Sequence, residues 1–191
     1  MDENVMRSDV LLSFWEAADG GEFQFTRTEY VNGDLATQEE GTAKRAGNGR
    51  NLRISRLGQD DAEVTGTALF PIAYSRKLIE TASRGEKVFT QPLFDGTEKG
   101  ESPTTAFIGK TFSYQMDKKG FQVKGKAGAV QKAWPVRISY FEREQRDGLP
   151  NFEMGYVLLA NGLATDLLLA YPDVKLKGTL NEVEFFDPGS C

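Results

Sequence analysis

At 191 residues the chain is long enough for one domain with a buried core, and its 39% hydrophobic share suits apolar residues spread over many short strands. A net charge of −5 and a pI near 5.0, with no isolated run of Lys or Arg, lack the basic footprint of a nucleic-acid binder. The absence of histidine and the presence of one cysteine exclude Ser-His-Asp and Cys-His catalysis, and zinc sites built on His or on several thiolates.

The N-terminal stretch "MDENVMRSDVLLSFWEAADGG" starts acidic and holds neither an apolar signal core nor a small-residue cleavage site, so no signal peptide is read in this chain. In "FQFTRTEYVNGDLATQEEGTAKR" the residues Phe23, Phe25 and Arg27 alternate with Gln24, Thr26 and Thr28, and Asn32-Gly33 supplies the positive backbone angles of a type I′ turn. The pattern predicts a hairpin. "RNLRISRL" reads as a further strand. In "LFPIAYSRKLIETASRGEK" the near-helical recurrence of Ile72, Leu78, Ile79 and Ala82, with Pro71 for a first turn and Gly85 for a C-cap, predicts one helix near residues 71–84.

Strands follow at "KVFTQPLFDG", "AFIGKTFSYQM" and "WPVRISYFERE", with "DGTEKGESPTT" and "DKKGFQVKGKAGAVQKA" as polar connections. In "NFEMGYVLLANGLATDLLLAYPDVKLKG" the set Phe152, Met154, Tyr156 and Leu158 points one way. Asn161-Gly162 turns the chain, and Leu163, Thr165, Leu167 and Leu169 return. Pro172-Asp173 then separates Tyr171 from a strand carrying Val174, Leu176, Gly178 and Leu180. The sum is a mainly β protein: a curved antiparallel sheet, spiral or open barrel-like, with one helix, organised as a single β domain over residues 1–191. Apolar runs such as "LLLAY" are strand-sized, and no window approaches the roughly 18 apolar residues of a membrane-spanning helix.

The chemistry these residues permit is narrow. Glu142 and Glu144 share a strand face and have the residue types of an acid-base pair, but they flank Arg143 and Arg146 at what reads as a solvated strand end. "EAADGGE" and "GQDDAE" lack the alternating oxygen ligands of a calcium loop, and "GNGRN" precedes no helix that would cradle phosphate. No catalytic residue, metal site or cofactor is therefore expected. In "WPVRISYF" the set Trp134, Val136, Ile138 and Tyr140 forms one strand face, with Arg137, Ser139 and Phe141 on the other. The first set suits a packed core. The same set, with Tyr156, also suits an apolar groove for a lipid or peptide on a concave sheet, and the sequence leaves both readings open.

The ordered segments "FWEAADGGEFQFTRTEYVNGDLATQEEGTAK", "TALFPIAYSRKLIETASRGEKVF", "PLFDGTEKG", "AWPVRISYFERE" and "FEMGYVLLANGLATDLLLAYPDVKLKGTLNEVEF" with a final Cys resemble the cell-envelope integrity protein B (EipB) family. That family consists of alphaproteobacterial periplasmic proteins with a domain of unknown function. The resemblance runs from about Phe14 to Cys191 and implies a spiral-like antiparallel sheet with a helix, a periplasmic location, and a non-enzymatic role in envelope integrity. It also implies that Cys191 is half of a disulfide whose partner cysteine is absent from this chain, and that the chain is N-terminally shortened by the family's opening strands. The partners so implied are a lipid, an envelope protein, or a second copy joined through an exposed strand edge or Cys191. An interaction scaffold with no internal ligand site is the alternative to a lipid-binding concave face.

Overall fold

The computed structural model describes residues 8–17, 19–46, 51–58, 62–65, 67–94, 96, 102–115, 122–124, 130–141, 150, 152–171, 175–178 and 182–184. The chain is mainly β, its large sheets are antiparallel and open, and one helix occurs among the described residues. The chain divides into two compact units. Unit 1 comprises residues 1–74 and 92–101, and unit 2 comprises residues 75–91 and 102–191.

Unit 1 is a five-stranded meander in chain order: β1 (Ser8–Glu16), β2 (Glu22–Val31), β3 (Asp34–Arg45), β4 (Asn51–Arg56) and β5 (Ala62–Thr65). The predicted hairpin forms between β2 and β3. Val31 pairs with Asp34, and Asn32 and Gly33 both take positive φ, 54° and 91°, as a type I′ turn requires. The alternation read in the sequence puts Phe23 and Phe25 into the core, where they join Ala43, Leu52, Ile54, Ala68, Phe70 and Phe94. Phe23 stacks on Phe70 at 5.2 Å and meets Phe94 edge-on at 6.0 Å. Burial of each such ring stabilises the unit by about 1.5–3 kcal/mol.

The Phe25 ring lies against two glycines. A Cβ on Gly41 or on Gly96 would stand 2.7 Å from it, so both positions must stay bare for the ring to seat. Residues 92–94 return to unit 1 through a parallel bridge between Leu69 and Leu93, with Leu69 N–H donating to Pro92 O and Phe94 N–H to Leu69 O, both at 2.9 Å.

The helix α1 (Pro71–Ser83) matches its predicted span, with Tyr74, Leu78, Thr81 and Ala82 buried. Its C-terminus closes as a Schellman motif: Gly85, at φ +80°, donates to Ala82 O and Glu86 donates to Thr81 O. Its N-terminus is capped from a distance. The carboxylate of Glu16 on β1 accepts from Ile72 N–H at 2.7 Å and Ala73 N–H at 2.9 Å, because the residue before Pro71 is Phe70 and the first turn holds no acid.

Unit 2 carries β6 (Val88–Thr90), β7 (Thr104–Ile108), β8 (Phe112–Gln115), β10 (Val130–Tyr140), β11 (Phe152–Leu159), β12 (Ala164–Ala170) and β13 (Lys175–Gly178) in one seven-stranded sheet. Its order is β13-β12-β11-β10-β7-β6, with β8 also on β10. A separate pair, β9 (Gln122–Lys124) and β14 (Glu182–Glu184), is parallel.

Three segments differ from the sequence reading. "KVFTQPLFDG" stops as a strand at Thr90, since Pro92 has no N–H for a ladder and the chain departs to unit 1. "AFIGKTFSYQM" is two strands, because Pro135 interrupts that side of β10: β8 pairs up to Ala133, β7 pairs from Val136, and the chain between them presses Gly109 onto Pro135. A Cβ on Gly109 would come within 2.5 Å of the Pro135 ring. "DKKGFQVKGKAGAVQKA", read as a connection, contains β9 and the start of β10.

The Asn161-Gly162 hairpin forms as expected but with a three-residue loop. Gly162 N–H donates to Leu159 O, Leu159 N–H donates to Leu163 O, and only Gly162, at φ +94°, takes the left-handed conformation. A bulge further along β12 places Asp166 at φ +53°, where its Oδ2 accepts from the buried Tyr114 hydroxyl at 3.1 Å.

Candidate functional site

The two faces of the seven-stranded sheet differ most along the middle of β10. On one, Trp134, Val136, Ile138 and Tyr140 of β10 stand at 1–5% exposure, and Tyr156 of β11, directly across from Val136, at 7%. The structure therefore brings all five residues singled out in the sequence onto one face and buries them, while towards β13 the same face leaves Tyr171 and Leu176 exposed. Tyr140 stacks on its cross-strand partner Phe152 at 4.2 Å and 11°, and Phe152 stacks on Tyr171 at 5.3 Å, an aromatic ladder that runs from the buried Tyr140 to the exposed Tyr171.

The other face is buried towards Ala133, Leu159 and Thr165 but carries one exposed row, built by register alone. Directly paired residues share a face, and successive pairings run Val88 to Phe107, Phe107 to Arg137, Arg137 to Gly155, Gly155 to Leu168, and Leu168 to Lys177. One transverse row thus crosses six strands. Val88, Phe107 and Leu168 are 51%, 42% and 44% exposed, where an antiparallel sheet facing water would ordinarily present polar side chains.

The Arg137 guanidinium lies 5.1 Å from the Phe107 ring centroid, and its Nε is 3.8 Å from Glu153 Oε1. At the centre of the row Gly155 leaves the backbone bare. A Cβ there would meet nothing closer than 3.9 Å, so no packing demand accounts for the glycine, and its effect is an open gap between Arg137 and Leu168.

A parallel row one pleat along is polar, running Thr90, Thr105, Ser139, Glu153, Ala170 and Lys175 by the same pairings. Ser139 Oγ donates to Glu153 Oε1 at 2.9 Å, which fixes the carboxylate beside Arg137. The face therefore offers exposed apolar side chains edged by Arg137, Lys175 and Lys177, with Glu153 as its acidic member. Sequence reasoning missed it. The period-two pattern of each strand was legible, but the row exists only once five long-range registers are set.

Glu142, Glu144 and Cys191 lie outside the described residues. No group of three His, Cys, Asp or Glu side chains suited to holding a metal ion occurs among the described residues, and no helix there is long and apolar enough to cross a membrane.

Comparison with known proteins agrees with the fold. Residues 1–187 match a sequence-family model described as EipB-like. The cell envelope integrity protein EipB of Brucella abortus (strain 2308) is 32% identical over 193 aligned positions, spanning 99% of this chain and 68% of that protein. A crystal structure from Brucella abortus, described as a β-barrel-like protein of domain of unknown function DUF1849, superposes with a TM-score of 0.83 at 28% identity, covering 98% of this chain and 78% of that one.

Proposed function

The chain belongs to the EipB-like family, and from this membership and the character of its two sheet faces we propose that it is a non-enzymatic periplasmic protein that supports cell-envelope integrity through surface interactions. One observation carries the reading: Trp134, Val136, Ile138, Tyr140 and Tyr156 are buried, while one row on the opposite face keeps Val88, Phe107 and Leu168 in solvent. A carrier of an apolar molecule needs an accessible concave lining, whereas an interaction scaffold needs a filled core and an exposed patch. The absence of histidine supports the non-enzymatic part, since the commonest general base at neutral pH is missing from the sequence.

The test is complementation of a strain lacking the protein and sensitised to envelope-perturbing agents. Leu168→Glu, confirmed as folded and exported, is expected to lose protection, and Glu142→Gln with Glu144→Gln to retain it. Native mass spectrometry of periplasmic protein is expected to give the mass of the bare chain. A stoichiometric lipid that Leu168→Glu also retains would transfer the function to the Trp134 face, and loss of protection in the double Glu variant would revive an acid-base role.

A further inference from the structure

The two units carry opposite charge. Unit 1 holds 8 Lys and Arg against 16 Asp and Glu, a net −8, and unit 2 holds 15 against 12, a net +3, together the −5 of the chain. The sheet face with the exposed row belongs to unit 2, and on it Arg137, Lys175 and Lys177 edge the apolar Phe107 and Leu168. With Glu153, paired to Arg137, as the carboxylate among them, three cations and exposed apolar side chains on one sheet face of an acidic protein give the pairing that an anionic bilayer surface recognises: cations for the headgroups, apolar side chains for the acyl boundary.

We propose that this face docks on a membrane surface of anionic phospholipid. The proposal rests on the interaction-surface reading above and names its partner. Lys175 and Lys177 stand two residues apart on β13, which ends the sheet among the described residues, so both ammonium groups reach the same side as Leu168 without being enclosed by a further strand. Leu168 and Phe107, both exposed, lie in one row with Arg137 and Gly155 between them. The Arg137 guanidinium, stacked beside Phe107, lies in the same row. Association of this kind is peripheral and dependent on ionic strength, because each cation near the surface adds only a modest increment and salt screens it.

The experiment is flotation of the full chain with vesicles of pure phosphatidylcholine and of phosphatidylcholine with 40% phosphatidylglycerol, at low and at physiological salt. Co-flotation is expected with the anionic vesicles alone and to weaken as salt rises. The pair Lys175→Gln and Lys177→Gln, on an exposed strand, is expected to reduce partitioning more than about tenfold with circular dichroism unchanged. Leu168→Glu is expected to abolish it.

Failure of the wild-type chain to float with anionic vesicles would overturn the proposal, as would flotation that both variants leave intact. The interaction-surface reading is judged separately by complementation. If the chain does not float and Leu168→Glu still loses protection, the face serves a protein partner and the membrane proposal alone falls. If Leu168→Glu still protects, the interaction-surface reading falls as well.

Discussion

Glu16 shows how one side chain ties distant parts of unit 1 together. Helix α1 starts at proline after a phenylalanine, so its first free N–H groups have no local acceptor, and the carboxylate from β1 takes two of them. Glu16→Ala is expected to destabilise the protein by about 1–2 kcal/mol in urea unfolding, with Glu16→Gln losing less because the amide oxygen still accepts. Gly41 is the second such residue. Its Cβ would sit 2.7 Å from both the Phe25 ring and the Ser55 carbonyl, one of them backbone, so neither a rotamer change nor a small shift clears it. Gly41→Ala is expected to cost about 1–3 kcal/mol by overpacking, seen as a lower melting temperature, even though alanine ordinarily suits a strand better than glycine.

At the level of elements, β10 organises unit 2. It pairs with β11 along one side and with β7 and β8 in turn along the other, and its alternation sorts Trp134, Val136, Ile138 and Tyr140 inward and Arg137 outward. The two sides of the sheet that β10 separates therefore predict different mutational responses. Trp134→Ala is expected to lower stability by about 3–5 kcal/mol, the cost of a large buried ring, while Leu168→Ala in the exposed row is expected to change it by less than about 1 kcal/mol. Chemical denaturation of the two variants checks this, and a severe loss at Leu168 would mean that its face is covered in the folded protein. The amides of the interior strands β10 and β11 are expected to exchange more slowly than those of β13 at the end of the sheet, since the interior strands are paired on both sides.

Across the whole molecule, charge is distributed by unit rather than mixed, −8 against +3. Near the pI of about 5.0 net repulsion between molecules vanishes while the opposite signs of the units remain. Light scattering is therefore expected to rise as the pH falls towards 5 and to be suppressed by added salt, which screens attraction between the acidic unit of one molecule and the basic unit of another. Scattering at pH 5 that salt enhances would point instead to apolar association.

What the sequence determined by itself is local. The alternation at Phe23 and Phe25, the positive angles asked of Asn32-Gly33 and the Pro71 and Gly85 boundaries of the helix each depend on neighbours within a few residues, and each is present in the structure. The ordered segments also carried the family resemblance, because a series of such local patterns in fixed order is specific where each alone is not. Tertiary structure decided whatever depends on pairing over long separations. The division of "AFIGKTFSYQM" by Pro135 and the capping of α1 by Glu16 are such cases. So is the row from Val88 to Lys177, since a one-residue slip in any of its five registers would turn a strand over and erase the face.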